Sequence, residues 1–282
     1  MTTRMTVLAS GSAGNCTLLE MPGFGVLLDL GLGPRRLAKR ISDCGASWTS
    51  VRAALLTHIH CDHWSEATLS KLVHSQIPLY CHPEHADHLR QCSASFRKLA
   101  DADLICTYKA YDSWKLTDGV TCRALPVSHD SGETFGFRIE VGENLFESGW
   151  SLGYAADLGK WDAELADALS NVDVVALEFN HDVGLQRNSG RPPHLIARVL
   201  GDEGHLSNDQ AAGLLDEIMK ISRAGKLRHV VQLHLSRDCN RPSLAQQAAR
   251  RMLGSLPQSP RLHTASQDYT TVIREVTPAA AR

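Results

Sequence analysis

The sequence predicts an α/β sandwich in which two sheets pack face to face with helices over both outer faces, in one domain covering residues 1–282. Three observations carry that prediction. Short strand-type runs dominate the first half and return in the second. Helical stretches alternate with them in both halves. No Pro/Ser-rich linker or internal repeat interrupts the 282 residues, a length that suits one large domain or two ordinary ones.

The elements follow in order. Strands are expected over Thr6–Ala9, Cys16–Glu20 and Gly25–Leu28, joined by glycine-rich turns. Pro34 opens a helical pattern through Arg36, Leu37, Lys39, Arg40 and Ile41 that stops near Gly45. The apolar run Val51–Leu56 reads as a strand and leads straight into Thr57-His-Ile-His-Cys-Asp-His63. A helix, a strand over Ile77–Cys81 and another helix come next, and residues 103–155 read as successive strands. Beyond Asp157 the expected order begins with a helix, the strand Val172–Phe179 and a long irregular connection over residues 183–204. Helix Asn208–Ile221, strand His229–Leu235, helix Ser243–Leu253 and strand Tyr269–Val276 complete it. Long ordered connections often carry function.

Composition excludes several classes. Hydrophobic residues at 43% and charged residues at 21% are ordinary for a globular protein. No apolar run approaches the ~20 residues of a membrane span, and the N-terminus lacks the apolar core of a signal peptide. The expected location is therefore cytoplasmic, with no membrane partner. Eight cysteines without a CxxC pair read as reduced, mostly buried thiols and not as a zinc ribbon. A net charge of −2 and a pI near 6.7 supply no field that draws in nucleic acid, so such binding has to come from a local patch.

The chemistry concentrates at strand ends. His58-x-His60-x-Asp62-His63 follows an apolar strand directly. Alternate residues of an extended segment point the same way, so His58 and His60 can hold one ion while Asp62 and His63 turn toward a neighbouring position. Imidazoles and carboxylates suit zinc and similar divalent ions. Four residues cannot fill two coordination shells, and the partners are sought among polar residues that close other apolar strands. His129 ends Ala124-Leu-Pro-Val-Ser-His, Asp157 ends Leu152-Gly-Tyr-Ala-Ala-Asp, and His234 ends Val230-Val-Gln-Leu-His.

This ordered set, from Asp29 through THIHCDH, His129 and the AADLG aspartate to His234, resembles the motifs of the metallo-β-lactamase superfamily. The resemblance implies a four-layer αββα sandwich and a hydrolase with two divalent metal ions, zinc first among the candidates and manganese or iron also compatible. It implies His58, His60 and His129 on one metal, Asp62, His63 and His234 on the other, and Asp157 bridging them. Asp29, ending Gly25-Val-Leu-Leu-Asp, would support the ligand loop from behind. A bridging carboxylate favours phosphodiester substrates over lactams. Cys61 falls at a non-ligand position, which weakens a lactamase reading.

Four further segments are similar to the YycJ/WalJ-like exonuclease branch: Leu8-Ala-Ser-Gly-Ser-Ala-Gly-Asn15, Leu177-Glu-Phe-Asn-His-Asp182, Gly204-His-Leu-Ser-Asn208 and His234-Leu-Ser236. On this reading a metal-bridging hydroxide attacks the phosphorus, Asp62 orients the water or accepts its proton, and His205 protonates the leaving oxygen with Glu178 orienting its ring. Asn15, Asn180 and His181 are expected to contact substrate. Arg187, Arg191, Arg198, Arg237 and Arg241 are candidates for the local basic patch that DNA phosphates require. His82, His85 and His88 recur at helical spacing and read as a solvated helix face. The leading function is a DNA exonuclease, and the alternative is a phosphodiesterase for a small cyclic or nucleotide phosphate.

Overall fold

Strand-forming runs separated by glycine turns build the first sheet. In the computed structural model, which describes residues 3–21, 23–142, 149–254 and 259–273, β1 (Arg4–Ala9), β2 (Cys16–Met21) and β3 (Phe24–Leu28) form an antiparallel meander. The next three strands, β4 (Val51–Leu55), β5 (Leu79–Cys81) and β6 (Ile105–Thr107), add in parallel beyond β3. Parallel neighbours need crossovers, and helices supply them. They are α1 (Pro34–Asp43), α2 (Glu66–Ser75), α3 (Pro83–Cys92) and α4 (Ala94–Asp101). Pro34 starts α1, where its fixed φ and missing N–H cost nothing. Leu37, Ile41, Leu69, Leu72, Leu89, Phe96 and Leu99 from these helices cluster with Leu18, Leu27, Ala54 and Leu79 of the sheet.

The second sheet repeats the plan. An antiparallel set, β7 (Ser113–Thr117), β8 (Val120–Pro126), β9 (Phe135–Val141) and β10 (Trp150–Ala155), is followed by parallel β11 (Val174–Glu178), β12 (His229–Leu233) and β13 (Arg261–Thr264). Its helices are α5 (Ala163–Ala168), α6 (Val183–Arg187), α7 (Pro193–Leu200), α8 (Asn208–Ile221) and α9 (Pro242–Leu253). Leu214, Leu215 and Ile218 of α8 and Ala245, Ala248 and Ala249 of α9 cluster with Val175, Leu177 and Val230. The last described strand, β14 (Thr271–Ile273), returns to pair with β1.

The described residues thus form two compact units. One comprises those up to Asp112 together with those from Ser266, and the other runs from Ser113 to Ala265.

Several elements differ from expectation for local reasons. The helix expected before residue 103 is two, because the Ser93 side chain accepts from Phe96 N and starts a new helix, with the Glu66 carboxylate on Ser93 Oγ and Ser95 N. The connection over residues 183–204 holds α6 and α7. Asp182 caps the first and Pro193 starts the second, signals that Gly184, Gly190 and Pro192 obscure in the sequence. Strand β12 stops at Leu233 because His234 adopts φ 52. β13 was not expected, and of the predicted strand Tyr269–Val276 the described part contributes Thr271–Ile273, residues 274–276 lying outside the described residues. His85 is buried, and its side chain accepts from the His82 backbone at the start of α3, so these histidines form a helix cap and not a uniformly solvated face. All eight cysteines are free; four are buried, and Cys61 and Cys92 are exposed.

Candidate metal centre

In the first unit β3 and β4 run parallel, so their carboxyl ends share one edge of the sheet, the edge where parallel sheets place ligands. Asp29 leaves β3 with φ 63 and is fully buried. Its carboxylate accepts from Thr57 N at 2.9 Å, from Thr57 Oγ1 at 2.9 Å and from His63 Nδ1 at 2.8 Å. Thr57 Oγ1, its one proton directed to Asp29, stands 3.0 Å from His58 Nδ1 and accepts there. The His58 ring lies 3.9 Å from that of His63 and 4.9 Å from that of His60, centroid to centroid. Close backbone approach fixes the loop. Asn15 N donates to Asp62 O at 2.7 Å, Leu30 N to His63 O at 2.7 Å, and a Cβ on Gly31 would lie 1.7 Å from Asp62 O. Only glycine fits there.

The second unit gathers its own cluster at the carboxyl ends of the parallel strands β10, β11 and β12. Asp157, Glu178, His205 and His234 bring their ligand-type atoms within 4.8 Å of one another. Glu178 is fully buried; Oε2 accepts from Leu158 N and Leu206 N at 3.0 and 3.1 Å, and Oε1 lies 2.7 Å from His205 Nδ1. Asp157 Oδ1 is 3.3 Å from His205 Nδ1 and contacts His234 Nδ1. His129 Nδ1 donates to Gly204 O at 2.8 Å, and its ring is 5.0 Å from that of His205. Tight glycines lace these loops: a Cβ on Gly159 would meet Asp202 O at 2.4 Å, and one on Gly204 would meet Arg198 O at 2.2 Å.

The donor set fits divalent cations. A carboxylate or carbonyl can only accept, so His63 and His129 carry their proton on Nδ1, and the Thr57 hydroxyl imposes the same on His58. Each ring then has Nε2 as its unprotonated nitrogen, the arrangement by which outer hydrogen bonds prepare histidines to bind a metal. The Asn15 amide group reaches both Asp62 Oδ2 at 3.1 Å and His63 Nε2 at 2.9 Å, a donor standing where a cation would meet the same two atoms.

Charge is also arranged around His205. Burial pushes its pKa down, but the Glu178 and Asp157 carboxylates prevail and raise it to about 10, which keeps the ring protonated at neutral pH. At His181 burial prevails over Glu178 and holds the pKa near 4, so that ring is neutral.

The three residues expected to touch substrate face inward. Asn15 is 2% exposed, with Oδ1 accepting from Gly11 N and Nδ2 on Asp62 and His63. Asn180 is 7% exposed and donates to His234 O at 3.0 Å, and His181 is 0% exposed. Asn15 and Asn180 support their loops, whereas His181 lines a cavity with Ser207, Asn208 and Arg251. Of the expected arginine patch, Arg191 pairs with Asp238 at 2.8 Å and Arg198 with Asp130, while Arg241 donates to backbone carbonyls. Thr57 was not singled out in the sequence, although a hydroxyl next to a histidine run is a readable signal. Gln267 carried no signal: it clamps the 11–14 turn through Ala13 N and Gly14 O from more than 250 positions away.

A family profile described as a β-lactamase superfamily domain matches residues 24–226. The chain is 24% identical over 286 aligned residues to the exodeoxyribonuclease WalJ of Streptococcus pneumoniae, covering 97% of this chain and 98% of that protein. It is 23% identical over 248 residues to the exodeoxyribonuclease YycJ of Bacillus anthracis, 88% of each. Among solved structures, the metallo-β-lactamase fold protein YhfI from Bacillus subtilis superposes with a TM-score of 0.67 at 15% identity, over 96% of this chain and 100% of that one. At that identity the likeness shows the fold, which is the metallo-β-lactamase fold. Among the described residues no helix is long and apolar enough to cross a membrane.

Proposed function

The chain belongs to the β-lactamase superfamily and is a metal-dependent hydrolase, and from that membership we propose that it cleaves phosphodiester bonds of DNA from a strand end. The observation that carries the reading is the Glu178–His205 pair set against Asp157 and His234. A histidine held beside two carboxylates can give a proton to a departing oxygen, which is what cleavage of a phosphodiester asks of it. The full-length similarity to proteins named as exodeoxyribonucleases supports DNA as the substrate.

In this reading His58, His60, Asp62, His63, His129, Asp157 and His234 would hold two divalent ions, as the family resemblance implies. Ions so bound polarise the phosphoryl oxygens and supply an activated water. The residues do the rest. Asp29 and Thr57 fix the tautomers of His63 and His58. Asp62 orients the attacking water. Glu178 holds His205 through Nδ1, which leaves Nε2–H as the group to protonate the departing 3′ or 5′ oxygen. Arg187, Arg191, Arg198, Arg237 and Arg241 form the local patch for the strand.

One observation favours the second reading, a phosphodiesterase for a small cyclic or nucleotide phosphate. The net charge is −2, and Arg191 is paired with Asp238. Incubation of the metal-loaded protein with a 5′-labelled duplex and, separately, with bis(p-nitrophenyl) phosphate decides between them. Stepwise shortening of the duplex supports the exonuclease. Turnover of the small ester alone supports the second reading, and inertness toward both removes phosphodiester chemistry.

A further inference from the structure

Arg198 lies in the last turn of α7, inside the segment whose sequence pattern was ambiguous. Its backbone and side chain touch two different parts of the candidate centre. The Arg198 carbonyl packs beneath Gly204, where a Cβ would be 2.2 Å away, and the neighbouring Val199 O accepts from His205 N at 3.0 Å. The side chain reaches Asp130, the residue after His129, and bonds to Oδ2 through Nε. The other oxygen of that carboxylate, Oδ1, is 3.6 Å from His129 Nε2, the nitrogen that faces a metal when Nδ1 is held by Gly204 O.

A guanidinium has five N–H donors in a rigid fork, and a bond through Nε fixes its plane. Asp130 therefore acts as a bracket. Among the described residues no hydrogen bond engages the two terminal amino groups of Arg198, and its side chain is 52% exposed. The nitrogens that recognise phosphate bidentately are thus left toward solvent, on a side chain bonded to the residue that follows His129. A structural tether needs no such arrangement, since a lysine, or a shorter side chain on α7, would hold the helix end equally well.

We propose that Arg198, aimed by Asp130, is the residue that binds a non-bridging oxygen of the phosphate under attack. This deepens the phosphodiesterase reading and rests on it for the identity of the anion. The same guanidinium binds the inorganic phosphate that shares this chemistry, and that provides a test independent of turnover.

Metal-loaded wild-type protein, Arg198→Ala and Arg198→Lys are titrated with inorganic phosphate by calorimetry, with bound metal counted by elemental analysis. All three are also assayed on bis(p-nitrophenyl) phosphate. Arg198→Ala is expected to keep its metal and bind phosphate about 10- to 100-fold more weakly, the loss of one charge-assisted contact. Arg198→Lys is expected to recover only part, because an ammonium keeps the charge without the fork. On the ester, kcat/KM falls in step. Phosphate affinity within about twofold of wild type in a metal-replete variant overturns the proposal. So does metal loss in both variants, which would reduce Arg198 to a support for His129. A wild-type protein that binds phosphate through Arg198 yet cleaves neither ester nor DNA overturns the phosphodiesterase reading and leaves this binding site standing.

Discussion

Replacing Asp29 by asparagine exchanges one oxygen for an NH2 group and should cost the protein a metal. The carboxylate now accepts at both oxygens: Oδ1 from Thr57 N and Oγ1, each at 2.9 Å, and Oδ2 from His63 Nδ1 at 2.8 Å. An asparagine in the same pose must turn its oxygen toward Thr57, where two donors wait, and its NH2 toward His63. Nδ1 then becomes an acceptor and the ring proton moves to Nε2, the nitrogen that the metal requires. Restoring the ligating tautomer means breaking the new bond and setting one N–H against another in a site that is 0% exposed. An unmade buried hydrogen bond costs about 1–3 kcal/mol, which converts to roughly 5- to 150-fold in metal affinity and overlaps the range seen when outer partners of metal ligands are removed. Competition with a chromophoric chelator measures the affinity, and nitrogen shifts of labelled His63 report the tautomer. An Asp29→Asn protein with wild-type affinity, or one whose His63 still carries its proton on Nδ1, refutes the reasoning.

Three other outcomes are expected. His205→Ala retains its metals but loses about 10²- to 10⁴-fold in turnover on phosphodiesters, the usual value of a positioned acid; unchanged kcat would remove the residue from the chemistry. Gly31→Ala places a methyl group 1.7 Å from Asp62 O, so the loop must move and metal content should fall along with the thermal midpoint, as elemental analysis and calorimetric melting will read. His181 has a folded pKa near 4 against an unfolded value of about 6.5. Its contribution to stability is therefore complete above the unfolded value and is lost as pH falls toward the folded one. Between pH 7 and pH 5 the loss is ~2 kcal/mol, and urea melts of the metal-free protein should show a His181→Gln variant missing that part of the slope.

The ligand types were legible because the chemistry left a pattern: polar residues ending apolar strands, with four of them in six positions after Val51–Leu56. Glu178 ends a strand in the same way, whereas His205 was singled out by its place before a helix and by the family resemblance. Burial was not legible. Asn15, Asn180 and His181 sit in loops beside the ligands, and polar loop residues suggest a rim. The structure shows them 2%, 7% and 0% exposed; for Asn15 and Asn180 the reason is that the loops leave backbone groups, Gly11 N and His234 O, that need internal partners. The helices α6 and α7 were hidden for a related reason. Their five and eight residues are too short for an apolar period to rise above the glycines and prolines that frame them.

Backbone strain explains why these loops need so much support. Among the described residues seven non-glycine positions take a positive φ, and Asp29, Asp157 and His234 are three of them, at φ 63, 56 and 52. Each is the residue that turns a side chain off the carboxyl end of a parallel strand into a cluster. A left-handed conformation at a residue with a Cβ costs of order 1 kcal/mol or more, and glycine, which would avoid that cost, brings no ligand. The surrounding bonds hold the strained turns in place: Leu55 O on Asp29 N, the Glu178 carboxylate on Leu158 N just past Asp157, and Asn180 Nδ2 on His234 O. Asn180 is thereby accounted for as a brace, and Asn240, which donates to Phe179 O and Asn180 O, as the brace behind it. The left-handed residues and the buried amides around them are one device, in which strain taken on to aim a ligand is offset by hydrogen bonds made one layer further in.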